Sequence, residues 1–272
     1  MIDLHSHTTA SDGEHSPEVL VQLAVAAGVT HLAVTDHDTV AGLEAARGAA
    51  LGRGLEIVHG IELSAFVFRR EVHILGHFVD PAYAELQSFA ARLRVERESR
   101  MRQMVERMKG LGYPVSMDDV LAVAGDAHLA RPHLARVLVM KGFCLDTKEA
   151  FDRFLGDGKP GWAQRFKLTA EDSIRLVRAA GGAATLAHPF VSKVERHELQ
   201  QLKDAGLAGL EVHHSDHPAP VREKLLGWAK ELDLVPTAGS DFHGARVCPG
   251  RDLGTASMAP ADFDALRRRA AA

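Results

Sequence analysis

Widely separated stretches of this chain end in the same way: a short apolar run with strand character gives out into histidine or a carboxylate. The run Ile2 to His5 delivers His5 and His7, with Asp12 in the loop that follows. Thr30 to Thr35 delivers Asp36 and His37, and the run from Leu55 ends on Glu62. A hairpin turning near Arg69 and Arg70 carries His73 on its return arm, Ala183 to Ala187 leads into His188, and Leu234 to Ala238 leads into Asp241 and His243. Helical signals lie between the strands. Ser16-Pro17 opens a helix that closes at Gly28, because proline at the first helical position has no amide to leave unpaired. A second helix is expected from about Thr39 to Leu51, and Thr169 to Asp172 form a capping-box signature heading another that reaches Ala180. Strand, helix, strand repeats imply parallel pairing, which puts the strand ends on one rim and draws distant segments into one cluster.

Between about Pro81 and Phe166 the pattern turns wholly helical: a long charged helix to Leu111, then shorter ones at Met117 to Val123, Pro132 to Met140 and Thr147 to Phe154. There is no internal repeat or low-complexity tract. With Gly209 to His213 added, the strands number near seven. The expected fold is α/β, a distorted (β/α)7-type barrel made of residues 1–80 and 167–272, interrupted by a helical subdomain at 81–166. A chain of 272 residues is ordinary for such a barrel, and 46% apolar content is enough for a sizeable core.

A lone His-x-His arises easily by chance, Asp36-His37-Asp38 could cap a helix, and His188-Pro189 could be a turn. Recurrence separates these readings, since independent accidents would have to place histidine or acid after strand upon strand. The spacing of His5-x-His7 and Asp241-x-His243 also points both members of each pair to one side of extended backbone. The chain holds 16 histidines, and imidazole with carboxylate suits Zn, Mn or Fe(II). Cys144 and Cys248 form neither a ligand pair nor a disulfide framework and are expected to be free thiols in a reducing compartment. The net charge of −4 leaves no general footprint for duplex DNA or an acidic membrane, so any phosphate recognition must be local. No apolar run approaches the ~20 residues that cross a bilayer, and Met1 to His5 carries no leader, so a cytoplasmic protein is expected.

The ordered set His5-Ser6-His7, Ser11-Asp12-Gly13, Thr35-Asp36-His37-Asp38, Gly60-Ile61-Glu62, Val72-His73-Ile74-Leu75-Gly76, Ala187-His188-Pro189 and Ser240-Asp241-Phe242-His243 resembles the polymerase-and-histidinol-phosphatase (PHP) family of metal-dependent phosphoesterases. The resemblance spans nearly the whole barrel. It is nearest to the branch of 3',5'-nucleoside bisphosphate phosphatases and exonucleases that trim short RNA from the 5' end. It implies one metal on His5, His7, Glu62 and Asp241, with Glu62 bridging to a second held by His73 and His188. A third would use Asp12, His37 and His243; Asp12 stands where some members carry histidine. The cofactors are then two or three divalent ions, Mn first, Fe(II) or Zn otherwise, and His5, His7, Glu62, Asp241 and His243 carry the chemistry. Bound ions of this kind can bring the pKa of water from ~16 towards ~7, so no side-chain nucleophile is needed.

On the insertion, Arg92, Arg94, Arg97, Arg100, Arg102 and Arg107 lie along the long helix among Glu96, Glu98 and Glu106, and Arg131, His133 and Arg136 open another helix. Intervening acids suit a solvated, salt-bridged surface, whereas a planar guanidinium suits a phosphate clamp. The resemblance implies an insertion that covers the active site and grips a 5' phosphate, with Arg97, Arg100, Arg131 and His133 as substrate contacts and Lys193 beside His188. One of His213, His214 and His217 would be placed to meet the rim as substrate contact or proton donor. His15, His31, His59, His77, His128 and His197 read as surface or satisfied core residues, and Phe66, Phe68 and Phe78 as hairpin packing or base-stacking rings. The expected reaction is hydrolysis of the 3' phosphate of a nucleoside 3',5'-bisphosphate to the nucleoside 5'-monophosphate, the partner being a small nucleotide or short RNA. The alternatives are a 5'-to-3' exoribonuclease on short 5'-phosphorylated RNA and a histidinol phosphate phosphatase. A noncatalytic metal- or nucleotide-binding module is opposed by the completeness of the ligand set.

Overall fold

Strands β1 (Ile2–Asp3), β2 (His31–Val34) and β3 (Glu56–Val67) pair in parallel, linked by helices α1 (Pro17–Ala26) and α2 (Leu43–Ala50). The computed structural model describes residues 1–67, 70–125, 129–164, 166 and 168–270. Phe68, the hairpin tip at Arg69, His128 and the side chain of Arg94 lie outside the described residues. Beyond the tip, β4 (Arg70–His77) returns antiparallel to β3 and pairs antiparallel with β6 (Ala183–Leu186) on its other side. Parallel pairing resumes through β7 (Gly209–His214) to β8 (Val235–Gly239). The order β1-β2-β3-β4-β6-β7-β8 brings the last strand back to the first. There the Leu4 N–H donates to Ala238 O at 3.0 Å, Asp241 N–H to His5 O at 3.0 Å and His7 N–H to Phe242 O at 2.9 Å. A short β5 (Leu168–Thr169) adds to β3 at Ala65 and Phe66.

Apolar periodicity explains the layers. Leu20, Val21 and Ala24 of α1 and Leu43, Ala46 and Ala50 of α2 pack against Leu32 and Val34 of β2. A second cluster joins Ile2, Leu4, Ala33, Val58, Ala183 and Ala238 to Phe263 and Leu266 of the C-terminal helix α10 (Pro260–Ala270). Ser16 caps α1 as its hydroxyl accepts from Val19 N–H, and Thr169 caps α7 (Ala170–Ala179) by accepting from Asp172 N–H.

The chain divides into two compact units, Met1–Ser88 with Lys167–Ala272, and Phe89–Phe166. The second has its own core. In α3 (Ala84–Gly110), Met101, Met104, Val105 and Met108 form an i, i+3, i+4, i+7 stripe that packs with Val120 of α4 (Met117–Ala124) and Leu134 and Leu138 of α5 (Arg131–Met140).

Several elements differ from the sequence reading. The helix expected from Thr39 begins at Leu43, because Asp38 takes a left-handed φ of 57° and its carboxylate accepts from Ser64 N–H at 2.9 Å, which leaves a turn before the helix. Strand β3 does not stop at Glu62; pairing with β4 from Gly60 to Val67 carries it five residues further. The helix from Thr147 is α-helical (α6, Thr147–Ala150) only to Ala150, and Phe151–Leu155 is a π-helical turn in which Gly156 N–H reaches Phe151 O. The barrel also carries helices α8 (Arg196–Asp204) and α9 (Ala219–Glu231), for which the sequence reading assigned no elements.

Candidate metal centre

Register, more than strand ends, builds this cluster. Across the β3–β4 hairpin Ser64 faces His73 and Glu62 faces Leu75, so Glu62 and His73 are diagonal neighbours on one face. The Glu62 carboxylate is almost wholly buried and meets five imidazoles. Oε2 lies 3.3 Å from His5 Nε2, 3.1 Å from His7 Nε2 and 3.1 Å from His37 Nδ1; Oε1 lies 2.7 Å from His73 Nδ1 and 3.3 Å from His188 Nε2. Asp241 Oδ1 approaches the same two nitrogens from the far side, 3.2 Å from His5 Nε2 and 3.3 Å from His7 Nε2. Asp12 Oδ1 stands 3.4 Å from His243 Nε2 and 3.7 Å from His7 Nδ1, and its Oδ2 3.8 Å from His37 Nε2. Asp12 is the most open of these residues, with its side chain 53% exposed.

These groups satisfy one another poorly. His5 Nε2, both ring nitrogens of His7, His37 Nδ1 and Glu62 Oε2 are buried and make no hydrogen bond, despite separations near 3.2 Å. A buried polar atom without a partner costs ~1–3 kcal/mol, so five together call for another partner. A tetrahedral ion with ligands ~2.0–2.2 Å away sets its ligand atoms ~3.3–3.6 Å apart, close to the spacing of His5, His7, Glu62 and Asp241. The residues therefore fit divalent metal ions: His5, His7, Glu62 and Asp241 in one group, Glu62, His73 and His188 in a second, and Asp12, His37 and His243, with His7, in a third. His37 sits between groups, since one nitrogen faces Glu62 and the other Asp12.

Electrostatics agree. Burial alone would push the His7 imidazole down, but the nearby carboxylates of Asp241 and Glu62 overcome it and raise His7 to about 10. Burial likewise opposes a charge on His73, yet Glu62 lifts it to about 10. His37 goes the other way, to about 4, because burial outweighs its acids and neighbouring imidazoles repel a further charge. Against the cost of burial, the imidazoles hold Glu62 and Asp241 well below the usual carboxylate range. In the metal-free chain, protons on histidine supply the positive charge that these acids require.

Backbone strain and supporting bonds fix the ligands. His188 and Asp241 adopt left-handed φ values of 27° and 54°, conformations that cost of order 1–3 kcal/mol and persist where surrounding structure holds them. Of the residues that do so, the sequence reading named Asp36 and His214 and missed Glu211, Asp216 and Arg251. Glu211, buried on β7, contacts His5 Nδ1 at 2.9 Å and accepts the His188 N–H at 2.7 Å. Asp241 Oδ2 accepts from the Arg251 guanidinium and lies 3.4 Å from His214 Nε2, while Arg251 also reaches Asp216 at 2.5 Å. Asp36 holds the loop before Asp12 by accepting from Thr8 N–H, Thr8 Oγ1 and Ser11 Oγ at 2.6–2.8 Å. Glu211 sits in a strand buried along nearly its whole length and Arg251 in a loop, so neither carried a spacing signal.

The remaining candidates are placed as follows. Of the histidines on and after β7, His214 meets the cluster, His213 is half-buried, and buried His217 bonds Val212 O at 2.9 Å through Nδ1. His77 is a core residue bonded to Leu4 O at 2.9 Å. Lys193 is exposed on the loop after β6, its carbonyl accepting from Arg70. Within the helical unit, Arg97 is half-buried on α3, Arg100 donates to Ala163 O at 2.9 Å and Arg131 pairs with Asp157 at 2.6 Å. His133 is buried at the start of α5, where its Nδ1 accepts from Ala130 N–H at 3.1 Å. Cys144 and Cys248 are free, and among the described residues no helix is long and apolar enough to cross a membrane.

Comparison with known proteins gives this geometry a context. A family model described as the PHP domain matches residues 3–111. The 5'-3' exoribonuclease of Haemophilus influenzae is 36% identical over 245 residues, spanning 89% of this chain and 89% of that protein. The 3',5'-nucleoside bisphosphate phosphatase of Chromobacterium violaceum is 34% identical over 93% of this chain and 90% of that protein. A solved structure of a metal-dependent phosphoesterase from Bifidobacterium adolescentis matches with a TM-score of 0.85 and 32% identity, covering 98% of this chain and 95% of that one.

Proposed function

The chain belongs to the PHP-domain family and is a phosphoric ester hydrolase, and from that footing we propose that it removes the 3' phosphate of nucleoside 3',5'-bisphosphates, releasing nucleoside 5'-monophosphate and phosphate. The observation that carries the hydrolytic reading is the buried carboxylate of Glu62 among five imidazoles, with orphaned nitrogens turned toward it. Divalent ions held there, manganese by preference, would supply an activated water near neutral pH and neutralise charge on the phosphoryl oxygens. His5, His7 and Asp241 would hold one ion and His73 and His188 another, with Glu62 common to the two groups. Asp12 forms the most open edge of the group. The bisphosphate reading is supported by the relative of that name and by the phosphate-matched guanidinium groups of the helical unit. In this reading Arg97, Arg100 and Arg131, with His133 and Lys193, contact the 5' phosphate.

A 5'-3' exoribonuclease acting on short 5'-phosphorylated RNA is the second reading, favoured by the Haemophilus relative. The test is a comparison of kcat/KM for manganese-loaded protein on adenosine 3',5'-bisphosphate, adenosine 3'-monophosphate, histidinol phosphate and short 5'-phosphorylated RNA. The bisphosphate is expected to lead, and Arg97→Ala or Arg131→Ala to cut its kcat/KM by about 10–100-fold while sparing the 3'-monophosphate. RNA as the best substrate would transfer the assignment to the exoribonuclease.

A further inference from the structure

Glu211 faces the cluster from behind. Its side chain is 1% exposed on β7, and its two oxygens serve two different ligand groups. Oε1 is 2.9 Å from His5 Nδ1. A carboxylate there keeps the proton on Nδ1 and leaves the lone pair on Nε2, the nitrogen that faces Glu62 and Asp241. Oε2 accepts the backbone N–H of His188 at 2.7 Å, at the residue whose left-handed turn brings its imidazole to Glu62 Oε1. The opening for this carboxylate is made by Gly239 on the neighbouring strand, where a Cβ would stand 2.7 Å from Glu211 Oε1 and 2.2 Å from His5 Cβ.

His5, Glu211 and His214 also lie close enough together to suggest an ion of their own. Their hydrogen bonds argue otherwise. His214 Nδ1 accepts from Asp216 N–H at 3.0 Å, which assigns the proton to Nε2, and Nε2 points to Asp241 Oδ2 at 3.4 Å; His5 Nδ1 is taken by Glu211 itself. No imidazole lone pair remains for a metal in that group.

We propose that Glu211 is a positioning residue that couples the two metal groups meeting at Glu62, orienting His5 in one and the His188 turn in the other. The inference rests on the metal-centre part of the proposed function and not on the substrate, so its test reads metal directly. Chelator-stripped protein is titrated with Mn²⁺, following affinity by calorimetry and the spin-coupled Mn²⁺ pair by electron paramagnetic resonance. Glutamine is neutral, so Glu211→Gln loses the charge that strengthens both arms, and its single acceptor oxygen leaves an N–H facing one of the two donors. It should weaken both ions together by about 10–100-fold and lose the pair signal at Mn²⁺ levels that saturate the wild type, with circular dichroism unchanged. Glu211→Asp keeps the charge but shortens the reach, and should also weaken both; it stands in if Glu211→Gln does not fold. Loss at one ion alone, or aspartate binding at wild-type affinity, would overturn the coupling role. Wild-type protein that binds no Mn²⁺, Fe²⁺ or Zn²⁺ would sink the metal-centre reading itself.

Discussion

At Asp241 the two carboxylate oxygens have separate duties: Oδ1 faces His5 and His7, and Oδ2 is occupied by Arg251 and His214. The split follows from the left-handed backbone, which turns the side chain inward immediately after Ser240, and from a guanidinium that fixes the outer oxygen. Asp241→Asn keeps the shape and removes the anionic donor. It should lower Mn²⁺ content and reduce kcat by at least about 100-fold in a folded protein, read by metal analysis and initial rates on the same sample. Unchanged metal content with full activity would remove Asp241 from the cluster. The residue scale also shows why histidine number alone misleads. His73 and His77 lie on the same face of β4, yet His73 meets Glu62 whereas His77 is satisfied by the carbonyl of Leu4 and lowered to about 4 by burial.

Among the elements, the β3–β4 hairpin and strand β8 do most to place the ligands. The hairpin's register sets His73 diagonally from Glu62, and a one-residue slip would turn His73 to the opposite face. Strand β8 lies so close to His5 that only a residue without Cβ fits at Gly239. Gly239→Ala is therefore expected to destabilise the fold by about 1–3 kcal/mol through overpacking and to lower metal content with it. Gly227 offers the contrast, since it lies within α9 and a Cβ there meets nothing within 4 Å. Gly227→Ala should stabilise by about 0.5–1 kcal/mol, because alanine loses less backbone entropy in a helix. Thermal unfolding of the two variants should move in opposite directions, and a shift of the same sign would contradict the packing argument.

For the molecule as a whole, the cluster links stability to both pH and metal. With His7 and His73 raised to about 10 from 6.5, their contribution to the metal-free fold is complete below about pH 6.5 and is lost as pH rises through about 10. Glu62 and Asp241 are depressed, so theirs is present above the ordinary carboxylate range and is lost in acid. Metal must displace the histidine protons, so its affinity should rise over the interval in which the metal-free protein weakens. The increase in Tm produced by Mn²⁺ should grow from about pH 6 to about pH 8, reaching about 10 °C when two sites are held at about 100 times their Kd. Chelation should reverse it, and a metal effect that shrinks with pH would exclude histidine ligation.

Local physics made much of this molecule readable in advance. Proline after serine opens α1, the capping sequence opens α7, and strand runs with histidine or acid in or just after them mark the barrel and pick out Glu62, His73 and Asp241, because each signal resides in a few adjacent residues. Neighbours distant in sequence decided the rest. Glu211 looks like any inward strand residue until β1 and the turn after β6 fold against it, Arg251 is a loop cation until Asp241 meets it, and Asp38 delays the start of α2 because Ser64 offers it an amide. Spacing along the chain carries side-chain direction within one element. Which hydrogen bond a buried carboxylate completes is settled by elements that reach it from elsewhere in the fold.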